Sequence, residues 1–161
     1  MGCQKAPSKA SYGADIKAID DQTLLSLVTH AEKPYVLVNF FSVDCDPCQS
    51  ELPEILAMKR NPRFNVDVLL VAVDEHITLH DEVKHFLQDM QVEFPAFQYQ
   101  KDSLTRFVKE VYPDWDTSIP LNFVYSNDGR LVEATGMTNQ QEIHMIVRAD
   151  QLFRKTTTDK L

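Results

Sequence analysis

The sequence predicts an α/β protein in which a central mixed β-sheet is flanked by helices on both faces and closes with a C-terminal β-hairpin plus helix. Two continuous apolar runs, residues 35–41 and 66–73, are typical of strands buried on both faces of a sheet. Amphipathic segments of helical periodicity alternate with these runs. Two alternating segments around Asp128-Gly129 predict a hairpin near the end of the chain. Together these patterns favour one sheet packed between layers of helices.

The first half of the chain alternates strands and helices. A short strand at 16–18 precedes a helix over about 20–31, where apolar residues recur on one face. After the strand at 35–41, the next helix begins near Cys45. It ends at Asn61-Pro62, because a proline disfavours the helical conformation of the residue before it.

The second half continues the alternation and closes with the hairpin. Its predicted elements are a strand at 66–73, a helix at 79–90, a weaker strand at 94–99, a helix at 104–111 and the hairpin at 121–136. A last helix spans about 139–154, opened by Thr138 with Gln141 as a capping box.

Length and composition indicate one domain with two short tails. The 161 residues, 43% of them hydrophobic, are sufficient for a single packed core. We expect residues 1–14 to be a flexible tether, residues 15–154 to be the domain, and residues 155–161 to be a frayed tail. A net charge of −8 without a Lys/Arg cluster argues against a nucleic-acid partner. No apolar run approaches the roughly 20 residues of a membrane-spanning helix. We also expect the protein to be a monomer.

Cys3 lies in a small, polar lead segment. A Gly-Cys pair followed by such a segment resembles the mature start of a bacterial lipoprotein, whose cysteine is lipidated after signal-peptide removal. The resemblance implies a lipid anchor at Cys3 as the only membrane contact, and a periplasmic or other extracytoplasmic location. A free thiol is the alternative. N-myristoylation is disfavoured, because Ala6 stands where Ser or Thr is expected.

Cys45 and Cys48 lie where the buried run at 35–41 gives way to a polar segment. A disulfide that closes so short a loop constrains the chain little, so stapling does not explain the spacing. The strand delivers Cys45 to the sheet edge and to the N-terminus of a helix, whose dipole favours a thiolate that attacks other disulfides. Cys48 lies one helical turn further and can resolve the mixed disulfide. The pattern therefore predicts a redox-active cysteine pair.

The segment VNFFSVDCDPCQSELP resembles the active-site motif of the TlpA/ResA-like branch of the thioredoxin superfamily. The matching residues are Asn39, Phe40, Cys45, Pro47, Cys48, Glu51 and Pro53. A second family signature is matched further along by Pro120, Asp128, Gly129 and Gly136. The resemblance covers about residues 14–153, and two motifs at this separation are more specific than an isolated C-x-x-C.

The resemblance implies a thioredoxin-like fold and thiol-disulfide exchange. Cys45 would attack a substrate disulfide and Cys48 would resolve the intermediate, with no cofactor other than the Cys45–Cys48 disulfide. Implied partners are protein disulfides outside the cytoplasm, apocytochrome cysteines among them, and a membrane thiol-disulfide protein as electron donor.

The resemblance also implies a substrate-binding surface beside the cysteines. It implies that the Ile119–Pro120 peptide bond is cis, which would leave the backbone of Ile119 free to pair with an extended substrate segment. We place Asp46 and Pro47, the two residues between the cysteines, on the same surface.

Two positions depart from the family pattern. Asp44 replaces the tryptophan before the first cysteine, and Phe41 replaces the second aromatic residue of a Phe-Trp pair, so partner choice is expected to differ. At about 6 Å an acid disfavours a thiolate by about 0.7 kcal/mol in water and about 3 kcal/mol at an effective dielectric of 20. Because Asp44, Asp46 and Glu51 surround Cys45, we predict a reductant of disulfides. The alternative is that solvent and salt screen these charges.

Asn39 occupies the position at which thioredoxin itself, by resemblance, has a buried aspartate that helps to deprotonate the second cysteine. An amide cannot accept that proton. Glu51, one turn beyond Cys48, is our candidate acceptor. The alternative interpretation of Glu51 is an ordinary exposed helix carboxylate.

Other functions fit the sequence less well. Cys45 and Cys48 with a histidine could bind metal, and His76 and His80 are four residues apart, but the further ligands of a closed site are missing, so we expect no metal. A peroxiredoxin pattern would need a proline that is absent and a threonine where Ser42 stands. A non-enzymatic thioredoxin-like module that binds a partner or metal, or senses redox state, remains the alternative function.

Overall fold

The computed structural model describes residues 15–74, 79–99 and 101–158, which form a six-stranded sheet in the order β1-β4-β3-β2-β5-β6. The strands are β1 (Ile16–Ile19), β2 (Tyr35–Phe41), β3 (Val66–Ala72), β4 (Ala96–Tyr99), β5 (Leu121–Ser126) and β6 (Leu131–Thr135). The helices are α1 (Asp21–Thr29), α2 (Asp46–Arg60), α3 (Leu79–Asp89), α4 (Lys101–Val111) and α5 (Gln140–Thr158). Strands β1 to β4 are parallel, and β5 and β6 are antiparallel to their neighbours. The predicted mixed sheet with a terminal hairpin and helix is confirmed.

Strand β2 lies inside the sheet, between β3 and β5, and is buried along its whole length. Leu37 and Phe41 share an apolar cluster with residues of α2, α3 and α5. Val36, Val38 and Phe40 point to the other face and share a cluster with residues of α1 and α4. Burial of a side chain of this kind contributes about 1.5–3 kcal/mol, so both faces of β2 hold it in place.

An ionic network around the buried Asp150 attaches α5 to the sheet. The carboxylate of Asp150 accepts hydrogen bonds from the hydroxyl of Tyr35 at 2.9 Å and from Nη2 of Arg130 at 2.7 Å. Nε of Arg154 lies 3.2 Å from the same carboxylate. Burial, with the neighbouring Asp150 carboxylate, raises the pKa of the Tyr35 hydroxyl to about 12. The network fixes α5 against β2 and the hairpin.

The last helix differs from its prediction at both ends. Asn139 caps it instead of Thr138, because Oδ1 of Asn139 accepts the N–H of Glu142 at 3.0 Å. The helix also continues to Thr158, so residues 155–158, expected to be frayed, are helical and exposed. The hydroxyls of Thr157 and Thr158 each donate at 2.9 Å to a carbonyl one turn earlier, so these side chains bond within the helix.

The expected tether at 1–14, with Cys3, lies outside the described residues. Among the helices of the described part of the chain, none has both the length and the apolar composition that a bilayer span requires.

Candidate active site

A four-residue turn links the end of β2 to the start of α2. The N–H of Cys45 donates to the carbonyl oxygen of Ser42 at 3.3 Å and closes this turn. Sγ of Cys45 accepts the N–H of Cys48 at 3.2 Å, so the sulfur occupies the N-cap of α2. Pro47 lies in the first helical turn, where a missing N–H costs nothing. The sulfur therefore lies at the positive end of the helix dipole, as the sequence predicts.

Cys45 and Cys48 are joined in a disulfide with an S–S distance of 2.05 Å. Cys45 is 9% exposed, whereas Cys48 is 2% exposed. An external thiolate therefore reaches Cys45 more easily than Cys48. This difference agrees with the predicted roles, in which Cys45 meets the substrate and Cys48 acts from behind it.

The Ile119–Pro120 peptide bond is cis, as the resemblance implies. The carbonyl oxygen of Ile119 lies 3.8 Å from Sγ of Cys45, so the loop before β5 contacts the disulfide. The indole N–H of Trp115 donates to the carbonyl of Ser118 at 2.8 Å and fixes the loop that precedes the proline. The backbone of Ile119 is thus held next to the sulfur with which a substrate would react.

The remaining predicted substrate-surface residues border the same disulfide. Asp46 and Pro47 are exposed at the start of α2, and Asp44 is exposed in the turn before it. Both aspartates face solvent, so water and salt screen their charges. Each is expected to disfavour the Cys45 thiolate by about 0.7 kcal/mol, the magnitude for a charge at about 6 Å in water. Most of the predicted acidic effect would then come from Glu51.

Glu51 is 1% exposed and lies beneath the cysteine pair at the centre of a polar network, so it is not the exposed carboxylate of the alternative interpretation. Its carboxylate accepts hydrogen bonds from Nδ2 of Asn39 at 2.7 Å, the N–H of Thr138 at 2.8 Å and Nδ2 of Asn122 at 3.1 Å. Nδ2 of Asn122 also donates to the carbonyl of Gly136 at 2.8 Å. The network links α2, β2, β5 and the loop before α5.

Burial raises the pKa of the Glu51 carboxyl, because the charged form loses its hydration. The hydrogen bonds from Thr138, Asn122 and Asn39 favour the charged form and oppose this shift. The net direction is upward. A buried carboxyl with a raised pKa is a stronger base than an ordinary carboxylate, which suits it to accept a proton.

Sequence reasoning missed two polar groups at this site. Asn122 is fully buried in β5, and Asp74 is 7% exposed just beyond β3. Asn122 stands as a single amide within the apolar run LNFVYS, and Asp74 follows the buried strand VDVLLVA. A polar residue inside or directly after a buried strand, at the same end of the sheet as Cys45, is the signal that points to both.

The described residues contain no group of three or more His, Cys, Asp or Glu side chains able to hold an ion. The sulfurs of Cys45 and Cys48 are bonded to each other. His76 lies outside the described residues, and the His80 side chain is also not described.

A disulfide at a helix N-terminus, beside a cis-proline on a mixed sheet, defines a class of protein. The chain is a thioredoxin-like oxidoreductase. A family model adds the narrower assignment: the model of the AhpC/TSA family matches residues 6–134, more than half of the chain, so the chain belongs to the AhpC/TSA family. The comparison with curated proteins found no matching sequence.

Solved structures of other proteins share this fold. The thioredoxin-related protein from Neisseria meningitidis is 24% identical, with a TM-score of 0.62, and the alignment covers 83% of this chain and 96% of that one. A thiol:disulfide interchange protein from Chlorobium tepidum is 24% identical, with a TM-score of 0.59 and coverage of 77% and 81%. The exposed lipoprotein thioredoxin from Streptococcus pneumoniae is 16% identical, with a TM-score of 0.57 and coverage of 75% and 89%. At these identities the likeness concerns the fold.

Proposed function

We propose that the protein reduces disulfide bonds of extracytoplasmic proteins through its Cys45–Cys48 pair. The observation that carries the proposal is the position of the Cys45 sulfur. It caps α2, is the more exposed of the two cysteines, and lies 3.8 Å from the carbonyl of Ile119 at the cis-proline. A substrate segment that pairs with the Ile119 backbone would bring its own disulfide to that sulfur.

The proposed reaction transfers two electrons from the reduced pair to the substrate. The Cys45 thiolate attacks one substrate sulfur and forms a mixed disulfide, while the other substrate sulfur leaves as a thiolate. The Cys48 thiol then loses its proton, and its thiolate attacks Sγ of Cys45. The second substrate thiolate leaves, and the Cys45–Cys48 disulfide forms. An external dithiol must reduce this disulfide before the next cycle.

Glu51 is the proposed acceptor of the Cys48 proton. It lies on α2 one turn beyond Cys48, and both residues are buried. The residue on β2 that could otherwise accept the proton is Asn39, an amide, which cannot do so. The raised pKa of Glu51 brings its basicity closer to that of a thiol, which favours proton exchange. Its buried network holds the carboxylate in one orientation.

The direction of electron flow follows from the balance of charges around Cys45. The helix N-terminus favours the thiolate by about 0.3–1 kcal/mol. The ionised Glu51 opposes it from a buried position, where a charge is screened much less than at the surface. A disfavoured thiolate destabilises the reduced protein, so reduction of its substrates is the favoured direction.

The extracytoplasmic location rests on Cys3 and on similarity. The lipoprotein-like sequence around Cys3 agrees with the character of the pneumococcal neighbour, which is an exposed lipoprotein. Such a location would require a membrane thiol-disulfide protein as electron donor. Among extracytoplasmic substrates, the resemblance favours apocytochrome cysteines, and with them a role in cytochrome c maturation.

The first prediction concerns catalysis. With dithiothreitol as reductant, the protein should accelerate insulin reduction. Cys45→Ser should lose this acceleration, because Cys45 is the N-cap residue of α2 and the remaining cysteine of the pair, Cys48, is only 2% exposed. Cys3→Ser is the matched control and should react like the wild type. Equal rates for wild type and Cys45→Ser would favour the non-enzymatic module.

The second prediction concerns the reduction potential. Equilibration with glutathione should give a value more negative than about −200 mV, in the range of reducing thioredoxin-like proteins. A value above about −200 mV would show an oxidant and contradict the proposed direction.

The third prediction concerns Glu51. Only its ionised form can accept a proton, so the rate of resolution in the wild type should increase as pH increases through the raised pKa of Glu51. Glu51→Gln should slow reduction of a model disulfide by about a hundredfold and lose this increase. The measurement is the pH profile of single-turnover reduction, with the exposed Glu54→Gln on the same helix as control. A profile unchanged by Glu51→Gln would remove Glu51 from the mechanism.

The fourth prediction concerns substrates and location. Cys48→Ser cannot resolve the mixed disulfide and should accumulate disulfide-linked partners in cells. Proteins with signal peptides should dominate the trapped species identified by mass spectrometry. The double variant Cys45→Ser/Cys48→Ser corrects for non-specific capture. Predominantly cytosolic partners would contradict the extracytoplasmic role.

A further inference from the structure

Asp74 holds the turn that presents Cys45. It follows β3 at the same end of the sheet, and it is 7% exposed. Its Oδ1 atom accepts the hydroxyl of Ser42 and, at 3.4 Å, the N–H of Val43. The hydroxyl oxygen of Ser42 in turn accepts the N–H of Asp44 at 3.4 Å. Asp74 thus connects, directly or through Ser42, to the three residues before Cys45.

The backbone around Asp74 is itself fixed to the sheet. The N–H of Val73 donates to the carbonyl of Phe41 at 2.9 Å, which joins the end of β3 to the end of β2. Nε2 of Gln98, on β4, donates to the carbonyl of Asp74 at 3.1 Å. The carboxylate therefore belongs to a rigid frame formed by the ends of three parallel strands.

Stability alone does not explain an acid at this position. The second carboxylate oxygen of Asp74, Oδ2, is buried and accepts no hydrogen bond from the described residues. A buried polar oxygen without a donor costs free energy. Buried polar groups without hydrogen-bond partners occur in folded proteins mainly at functional sites.

We infer that Asp74 is a positioning residue for disulfide exchange, which holds Ser42 and Val43 so that Sγ of Cys45 faces both the substrate and Cys48. Asp74 acts through the turn, since its side-chain hydrogen bonds in the described part of the chain go to Ser42 and Val43 and to neither cysteine sulfur. The inference rests on the proposed function, in which the Cys45 thiolate bonds to one substrate sulfur while the other leaves as a thiolate. A displaced turn would slow that attack and weaken closure of the Cys45–Cys48 disulfide.

The test compares Asp74→Ala with Asp74→Asn in the full chain. Asparagine keeps an acceptor oxygen for Ser42 and Val43 but removes the charge, whereas alanine removes both. Asp67→Asn is the matched control, because Asp67 is a half-buried acid at the opposite end of β3 that pairs with Lys59.

Two quantities are measured on the reduced proteins. The first is the rate of iodoacetamide alkylation at Cys45, resolved by mass spectrometry and compared with the rate for the same protein unfolded in denaturant. The second is the equilibrium constant with glutathione. We expect Asp74→Ala to slow alkylation at Cys45 by about tenfold and to shift the equilibrium toward the dithiol. We expect Asp74→Asn to be alkylated at Cys45 at a rate within about threefold of wild type. We expect Asp67→Asn to match wild type in both quantities.

The outcomes separate the inference from the proposed function. Wild-type values for Asp74→Ala would overturn the positioning role, and equal effects of alanine and asparagine would assign the effect to charge and overturn it too. If Asp74→Ala does not fold, Ser42→Ala decides: slower alkylation at Cys45 supports the role, and an unchanged rate overturns it. A wild-type protein that does not accelerate insulin reduction would instead contradict the proposed function.

Discussion

Burial of β2 on both faces is the constraint on which the site depends. The strand pairs with β3 and β5 along its length, and its side chains enter two separate apolar clusters. A strand held in this way ends at a fixed point, and Cys45 follows that point by only four residues. Packing along β2 therefore sets the position of the sulfur. Helix α2 begins at Asp46, directly after Cys45.

Polar groups are buried next to this sulfur at a cost to stability. Asn39 and Asn122 interrupt apolar strands to donate to Glu51, yet Oδ1 of Asn39 and Oδ2 of Asp74 are buried without hydrogen-bond partners in the described part of the chain. Four polar residues of this kind gather at one end of the sheet, around one disulfide. Buried polar groups that lower stability are common at sites where a reaction needs a preorganised charge or a fixed backbone. Here the large apolar clusters on both faces of the sheet offset the cost.

The sequence beside Cys45 departs from the motif of the TlpA/ResA-like branch that it resembles. Asp44 is exposed where the resembling proteins have a tryptophan, so an apolar docking surface is replaced by a solvated charge. Under the proposed function, the backbone of Ile119 beside Cys45 becomes the main feature with which a substrate aligns. Backbone pairing depends little on side-chain identity, which is consistent with a protein that acts on several disulfides.

Much of the fold and the reactive pair follow from the sequence, whereas the environment of that pair does not. Some patterns depend only on neighbouring residues: apolar runs, helical periodicity and the Asp128-Gly129 turn. These patterns correctly predicted the strands, the helices and the position of Cys45 at the start of α2. The resemblance added the cis bond at Pro120. The burial of Glu51 was decided by tertiary structure, since its partners Asn39 and Thr138 are 12 and 87 residues away. The same holds for the contact of Asp74 with Ser42, 32 residues apart. Periodicity reports which face of an element is apolar, but only the folded sheet determines which polar groups from distant strands meet at its edge.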